Sequence, residues 1–260
     1  MINTEKLISV QKTLTELTEK YSGQYDKLRE NADISSADVI WCKGWREPYA
    51  ADYADELYIG NIYSPRQMVA KEPRKKELVS AHYFRDSLPV LSVVYGTEGK
   101  ITYEKLFVNE PDLSAGIVFD DEQNADILTV EIKNNGRAAE YIVYEHDRDS
   151  VPGRRTKAHT VRYTSYAYDE NGRIASSTYI TGITPCDDTE KFLFLNKRVE
   201  DLCDYRFNYV DTAVDTFTRY DFDCYYFNDT SDKSYPEGNT WKFPKHLLKR
   251  YRDLGIDCFG

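Results

Sequence analysis

Apolar residues Leu7, Val10, Leu14, Leu17, Tyr21, Tyr25 and Leu28 recur at steps of three and four, which places them on one stripe of a helix. The spacing predicts a long amphipathic N-terminal helix over 3–30, with Asn3 or Thr4 as N-cap and Asn31 and the Asp33–Ser35 stretch beyond its end. The stripe has too few heptads for a coiled-coil seam, so the expectation is a helix laid across a sheet of the same chain. Trp41, Trp45, Tyr49 and Tyr53 also step by four and suggest a short second helix, against which Gly44 and Pro48 weigh. Leu57–Tyr63 alternates like a first strand, and Arg66–Glu77, with Lys71, Arg74, Lys75 and Lys76, reads as a solvated basic loop.

After Val79 the period changes to two. Val90–Tyr95 and Lys100–Val108 flank a turn at 96–99, Asp126–Lys133 and Arg137–Glu145 flank Asn134-Asn135-Gly136, and Thr160–Tyr168 and Arg173–Thr181 flank Asp169–Gly172. Asn-Gly between β-branched and aromatic runs is a strong hairpin signal, because both residues tolerate positive φ. The turn glycines Gly99, Gly136 and Gly172 are 37 and 36 residues apart, each followed by a basic residue, which suggests an internal hairpin repeat.

Thr189–Leu195, Tyr205–Val210 and Val214–Phe227 continue the strands. In the last of these, alternation puts Phe217, Arg219, Asp221, Asp223, Tyr225 and Phe227 on one face and Thr218, Tyr220, Phe222, Cys224 and Tyr226 on the other. The second set reads as the core side and the first as half polar. Pro244 suits the first turn of a short helix ending near Leu254, with Gly255 as its stop. The expectation is an α+β fold in one domain over 1–260. It comprises a long N-terminal helix (3–30), an extended or curved antiparallel β-sheet of repeated hairpins (57–227) and a short C-terminal helix (244–254).

The segment Tyr166-Ala167-Tyr168-Asp169-Glu170-Asn171-Gly172-Arg173-Ile174, closed by Gly182, resembles a YD repeat of the rearrangement-hotspot and teneurin type. In that family Tyr-Asp-x-x-Gly-Arg and a following aliphatic residue form a β-hairpin. The resemblance covers this single copy, since the corresponding pairs in the other hairpins are Tyr95-Gly96 and Ile132-Lys133. It implies an extended antiparallel sheet and a bacterial setting in which polymorphic toxins and their immunity proteins are common, and it assigns no catalytic residue.

Thirty-four Lys and Arg against 44 Asp and Glu give a net charge of −10, which disfavours nucleic acid as a partner and favours a basic protein. No run of 18 apolar residues occurs, so no membrane association is expected. The five scattered cysteines make no CxxC pair, which points to a reduced, cytoplasmic chain with no metal site. His82, His146, His159 and His246 stand alone in sequence, and no Gly-x-Ser-x-Gly or Gly-rich phosphate loop is present, so neither a catalytic set nor a cofactor is expected.

Eight aspartates fall within 201–232 against Arg206 and Arg219, the sharpest local bias in the chain. Together with the turn of the YD-like hairpin they give the candidate partner-binding residues Asp215, Arg219, Asp221, Asp223, Tyr225, Tyr168, Asp169 and Arg173. The functional expectation is a non-enzymatic protein-binding module, most concretely an immunity-type inhibitor of a basic bacterial toxin. The alternative is a hydrolase or small-ligand-binding protein that uses a concave, Tyr- and Asp-rich sheet face.

Overall fold

The computed structural model describes residues 4–44, 53, 67–69, 71–147, 158–185, 199–222, 237–253, 257 and 259. They build one antiparallel sheet of thirteen strands with three helices on it. The strands are β1 (Asp38–Lys43), β2 (Gln67–Val69), β3 (Val79–Arg85), β4 (Leu88–Tyr95), β5 (Ile101–Glu110), β6 (Leu113–Phe119), β7 (Ala125–Asn134), β8 (Arg137–Asp147), β9 (Ala158–Tyr168), β10 (Ile174–Pro185), β11 (Val199–Val210), β12 (Ala213–Asp221) and β13 (Asn239–Lys242). From β3 to β13 each strand pairs with the next in sequence, and β1 inserts between β3 and β2 at the far edge.

The α+β expectation is therefore corrected: the described chain is mostly β, and its helices are short. The single helix over 3–30 does not form. Instead α1 (Thr4–Tyr21) ends at Gly23, whose φ of +74° is the left-handed conformation of a helix stop, and α2 (Tyr25–Asn31) starts afresh. The Gly23 amide donates to the Gln123 carbonyl at 2.8 Å, which ties this break to the β6–β7 turn. The apolar stripe was legible, but the glycine inside it was a terminator.

Register divides the sheet into two faces. On the first, Leu91, Leu106, Ile117, Leu128, Tyr144 and Val161 form one continuous cross-strand row from β4 to β9. Val10, Leu14, Leu17 and Tyr21 of α1 join the same core, while Tyr25 of α2 meets Phe119 edge-on at 5.6 Å and bonds Glu104. On the second face, Tyr141, Tyr166, Tyr179, Tyr205, Phe207 and Phe217 pack with Leu247 and Tyr251 of α3 (Lys245–Asp253) and with Phe259. The helices thus cover opposite faces, α1 over the middle strands and α3 on the side toward β12.

Four further expectations change. Trp41 lies in strand β1, not in a helix, and β2 falls inside the stretch read as a loop. The spacing of 37 residues from Gly99 to Gly136 spans three strands, β5 to β7, whereas the 36 from Gly136 to Gly172 span two, so the hairpins recur without a fixed structural period. On β12, Phe217 is buried in the aromatic core, so the face expected to be half polar is the core side there. The strands expected at Leu57–Tyr63 and Thr189–Leu195 lie outside the described residues.

Candidate functional site

On the second face, where the aromatic core that α3 joins ends at Tyr141 and Val143, two neighbouring cross-strand rows meet. Asn109, Ser114, Glu131 and Tyr141 are successive partners across β5, β6, β7 and β8, and Phe107, Gly116, Thr129 and Val143 are the adjacent row. Gly116 leaves a gap in the second row. A Cβ there would stand 2.8 Å from the Phe107 ring, 2.6 Å from Thr129 Oγ1 and 2.9 Å from the Lys105 stem, so the neighbours lean over the missing side chain.

Above this floor lies a half-open groove of about 190 Å³, with Phe84, Pro89 and Phe107 among its apolar walls. Its charged groups among the described residues are Glu131 and Lys133. Lys133 Nζ donates to Ser114 Oγ at 2.9 Å and stays 3.9 Å from Glu131 Oε1, too far for a hydrogen bond. Burial pushes the Glu131 carboxyl above the ordinary value of 4.5, and the nearby Lys133 only partly offsets it. A carboxylate that is desolvated, beside one cation and open to a cleft is the arrangement found where a protein does chemistry or holds a ligand. Asn109 also lines the groove; its amide nitrogen donates to the Pro89 carbonyl at 2.8 Å, and its Oδ1 is buried without a partner.

Of the sequence candidates, Asp215, Arg219, Asp221, Tyr168, Asp169 and Arg173 are described; they lie outside the groove and make contacts within the chain. Asp169 caps its turn: Oδ1 accepts from the Asn171 and Arg173 amides at 2.9 Å, and the carboxylate pairs with Arg173 at 2.8 Å. These bonds hold its carboxyl below the usual carboxylate range. The Arg173 guanidinium lies 4.2 Å from the Tyr209 ring centre and donates to the Asp211 carbonyl, and Tyr168 donates to the Ala138 carbonyl. Asp215 pairs with Lys242 of β13 at 2.7 Å, while Asp221 pairs with Arg219 and accepts from the Cys203 thiol at 3.1 Å. Asp215, Arg219 and Asp221 share β12, but the Asp169–Arg173 turn stands at the other end of the strands from Asp221. Asp223 and Tyr225 lie outside the described residues.

His82 is fully buried between Ser92 (2.8 Å to Nδ1) and Ser80 (2.9 Å to Nε2), and Ser80 Oγ donates onward to the Gly44 carbonyl. Ser80 therefore accepts from Nε2–H, and Ser92 donates to Nδ1. The chain of bonds is a sealed structural network. Among the described residues no three His, Cys, Asp or Glu side chains are placed to hold a metal ion, and no helix is long and apolar enough to cross a membrane.

Sequence reasoning missed the groove because its residues come from separate hairpins. Two signals pointed to it: Thr129, Glu131 and Lys133 alternate with Leu128, Val130 and Ile132 on β7, and Gly116 interrupts the apolar run of β6. Comparisons with protein-family models, curated proteins and solved structures return no match to the chain.

Proposed function

We propose that this chain is a non-enzymatic binding protein and that the groove over Gly116 is where its ligand sits. The observation that carries the reading is Glu131: a carboxylate opening into a cleft, without a hydrogen bond from the described residues, at a cost in stability that a bound donor would offset. The groove is smaller than the ~300 to 1,000 Å³ of drug-sized sites, so it suits one small molecule or one projecting group. Hydrolysis of a glycosidic bond takes two facing carboxylates, and the described lining has one, which favours binding over turnover.

The test is amide chemical-shift mapping with separate sets of small amines, carboxylates and polyols. A ligand of this site shifts the amides of Asn109, Ser114, Gly116 and Glu131, and does so less in Glu131→Gln. Shifts scattered away from the groove, or none from any set, would contradict the proposal.

A protein partner is a second reading, favoured by β13, which is an edge of the sheet among the described residues. All four of its residues are exposed, and Trp241, 42% exposed, stacks on Phe217 at 5.6 Å. An extended segment of a basic protein would add a strand there, drawn by the net charge of −10. Protection of the β13 amides from exchange on binding supports this mode, and unchanged exchange counts against it.

A further inference from the structure

We propose that the groove's ligand is a neutral polyol, a single sugar residue whose hydroxyl bridges Glu131 and Lys133. This rests on the reading of the groove as a ligand site, and adds the chemistry of the occupant.

Charge is the first argument. The two formal charges in the described lining cancel, so an entering cation would meet Lys133 and an entering anion would meet Glu131, each at close range and partly stripped of water. A neutral ligand meets neither penalty.

Geometry is the second. The carboxylate and ammonium are 3.9 Å apart, and an oxygen about 2.8 Å from both completes a triangle over that gap. Only a group that donates and accepts at once can stand there, and a hydroxyl does both. It would give its proton's bond to Glu131 and take one from Lys133, two charge-assisted bonds from a single atom. Ser114 Oγ, which already accepts from Lys133, retains its own O–H for the neighbouring hydroxyl of the same ring.

The apolar wall is the third. Phe84, Phe107 and Pro89 face the same space as these polar groups, and a sugar ring likewise presents hydroxyls at its rim and C–H groups on its faces. The negative face of an aromatic ring attracts such weakly positive hydrogens. A volume of about 190 Å³ fits one ring and excludes a nucleotide or an extended cofactor.

Free sugars and the terminal residues of longer glycans share this chemistry, so the test uses both. Saturation-transfer NMR and calorimetry would be run with D-glucose, D-galactose, D-mannose, their methyl glycosides and one oligosaccharide of each, with butylamine and propionate as charged controls. The proposal expects at least one sugar to bind, with saturation strongest at ring C–H protons. Glu131→Gln should weaken it by about tenfold or more, and Ser114→Ala by a smaller factor, with amide spectra showing both variants folded. A free sugar and its glycoside binding alike points to a monosaccharide ligand; gain with the oligosaccharide points to a glycan end. If butylamine or propionate occupies the groove and no sugar does, the polyol inference is overturned while the groove remains a ligand site. Sugars that bind equally well to Glu131→Gln overturn it too. If no probe of any class enters, both the inference and the reading beneath it fail.

Discussion

Glu131 and Lys133 stand two residues apart on β7 and 3.9 Å apart in space, yet the lysine's hydrogen bond goes to Ser114. The pair attracts without closing. A closed pair would satisfy both partners, whereas this one leaves the carboxylate desolvated and available.

The first prediction concerns stability. Burial raises the carboxyl of Glu131 above 4.5, so the folded state holds its proton more tightly than the unfolded state does. The folded state therefore loses stability as pH rises through that raised value, and the cost is complete above it and absent well below 4.5. Glu131→Gln should raise the thermal midpoint at neutral pH, and its advantage should disappear toward pH 4. Melting curves across that range check this; a variant less stable at every pH would show Glu131 to be a structural ion-pair partner.

Gly116 is the second. An added methyl would press on Phe107, Thr129 and the Lys105 stem at 2.6 to 2.9 Å, inside normal contact. Gly116→Ala should destabilise by about 1–3 kcal/mol in denaturant titrations. It should also shift the amides of the groove rows more than those of β11 and β12.

The third tests how α1 is held. Leu14 is fully buried against the sheet, in one core with Ile117, Leu128 and Ile142. Leu14→Ala should cost about 2–5 kcal/mol, read by chemical denaturation. A much smaller loss would show that α1 is not seated on this face.

Asp169 supplies the fourth. Its carboxyl is held low, first by the backbone amide of Arg173 and then by that side chain, so its contribution is present above the ordinary 3.8 and is lost as pH falls through the depressed value. Asp169→Ala should lower the melting temperature at neutral pH, and the gap to the parent should narrow below pH 4. Amide exchange at Arg173 should speed up in the variant.

The strands were legible where a period of two met turn chemistry. Asn135 and Gly136, at φ of 52° and 77°, make the two-residue turn that their sequence announces. Asp86 and Ser87 adopt positive φ, 51° and 65°, without a glycine, and so the β3–β4 hairpin gave no such signal. The turn at Asp120–Asn124 repeats the bonding of Asp169–Arg173, with Gln123 in place of the glycine. Local sequence shows a turn when it carries the usual residue and hides it otherwise.

The tyrosines and the acidic bias read differently in three dimensions. Tyr141, Tyr144, Tyr163, Tyr166, Tyr179 and Tyr205 are core residues, and burial drives the phenols of Tyr163 and Tyr205 upward. Asp215 and Asp221 are paired inside the chain. What brings Asn109, Ser114, Glu131 and Tyr141 into one row is the pairing register of four strands, which no single segment encodes.

The most direct test of the account is the titration of the Glu131 carboxyl carbon by NMR in the free protein. The expected midpoint lies above the ordinary 4.5, as befits a desolvated carboxylate left open for a ligand. A midpoint at or below that value would mean a group already solvated or already bonded, and would contradict the groove as the binding site.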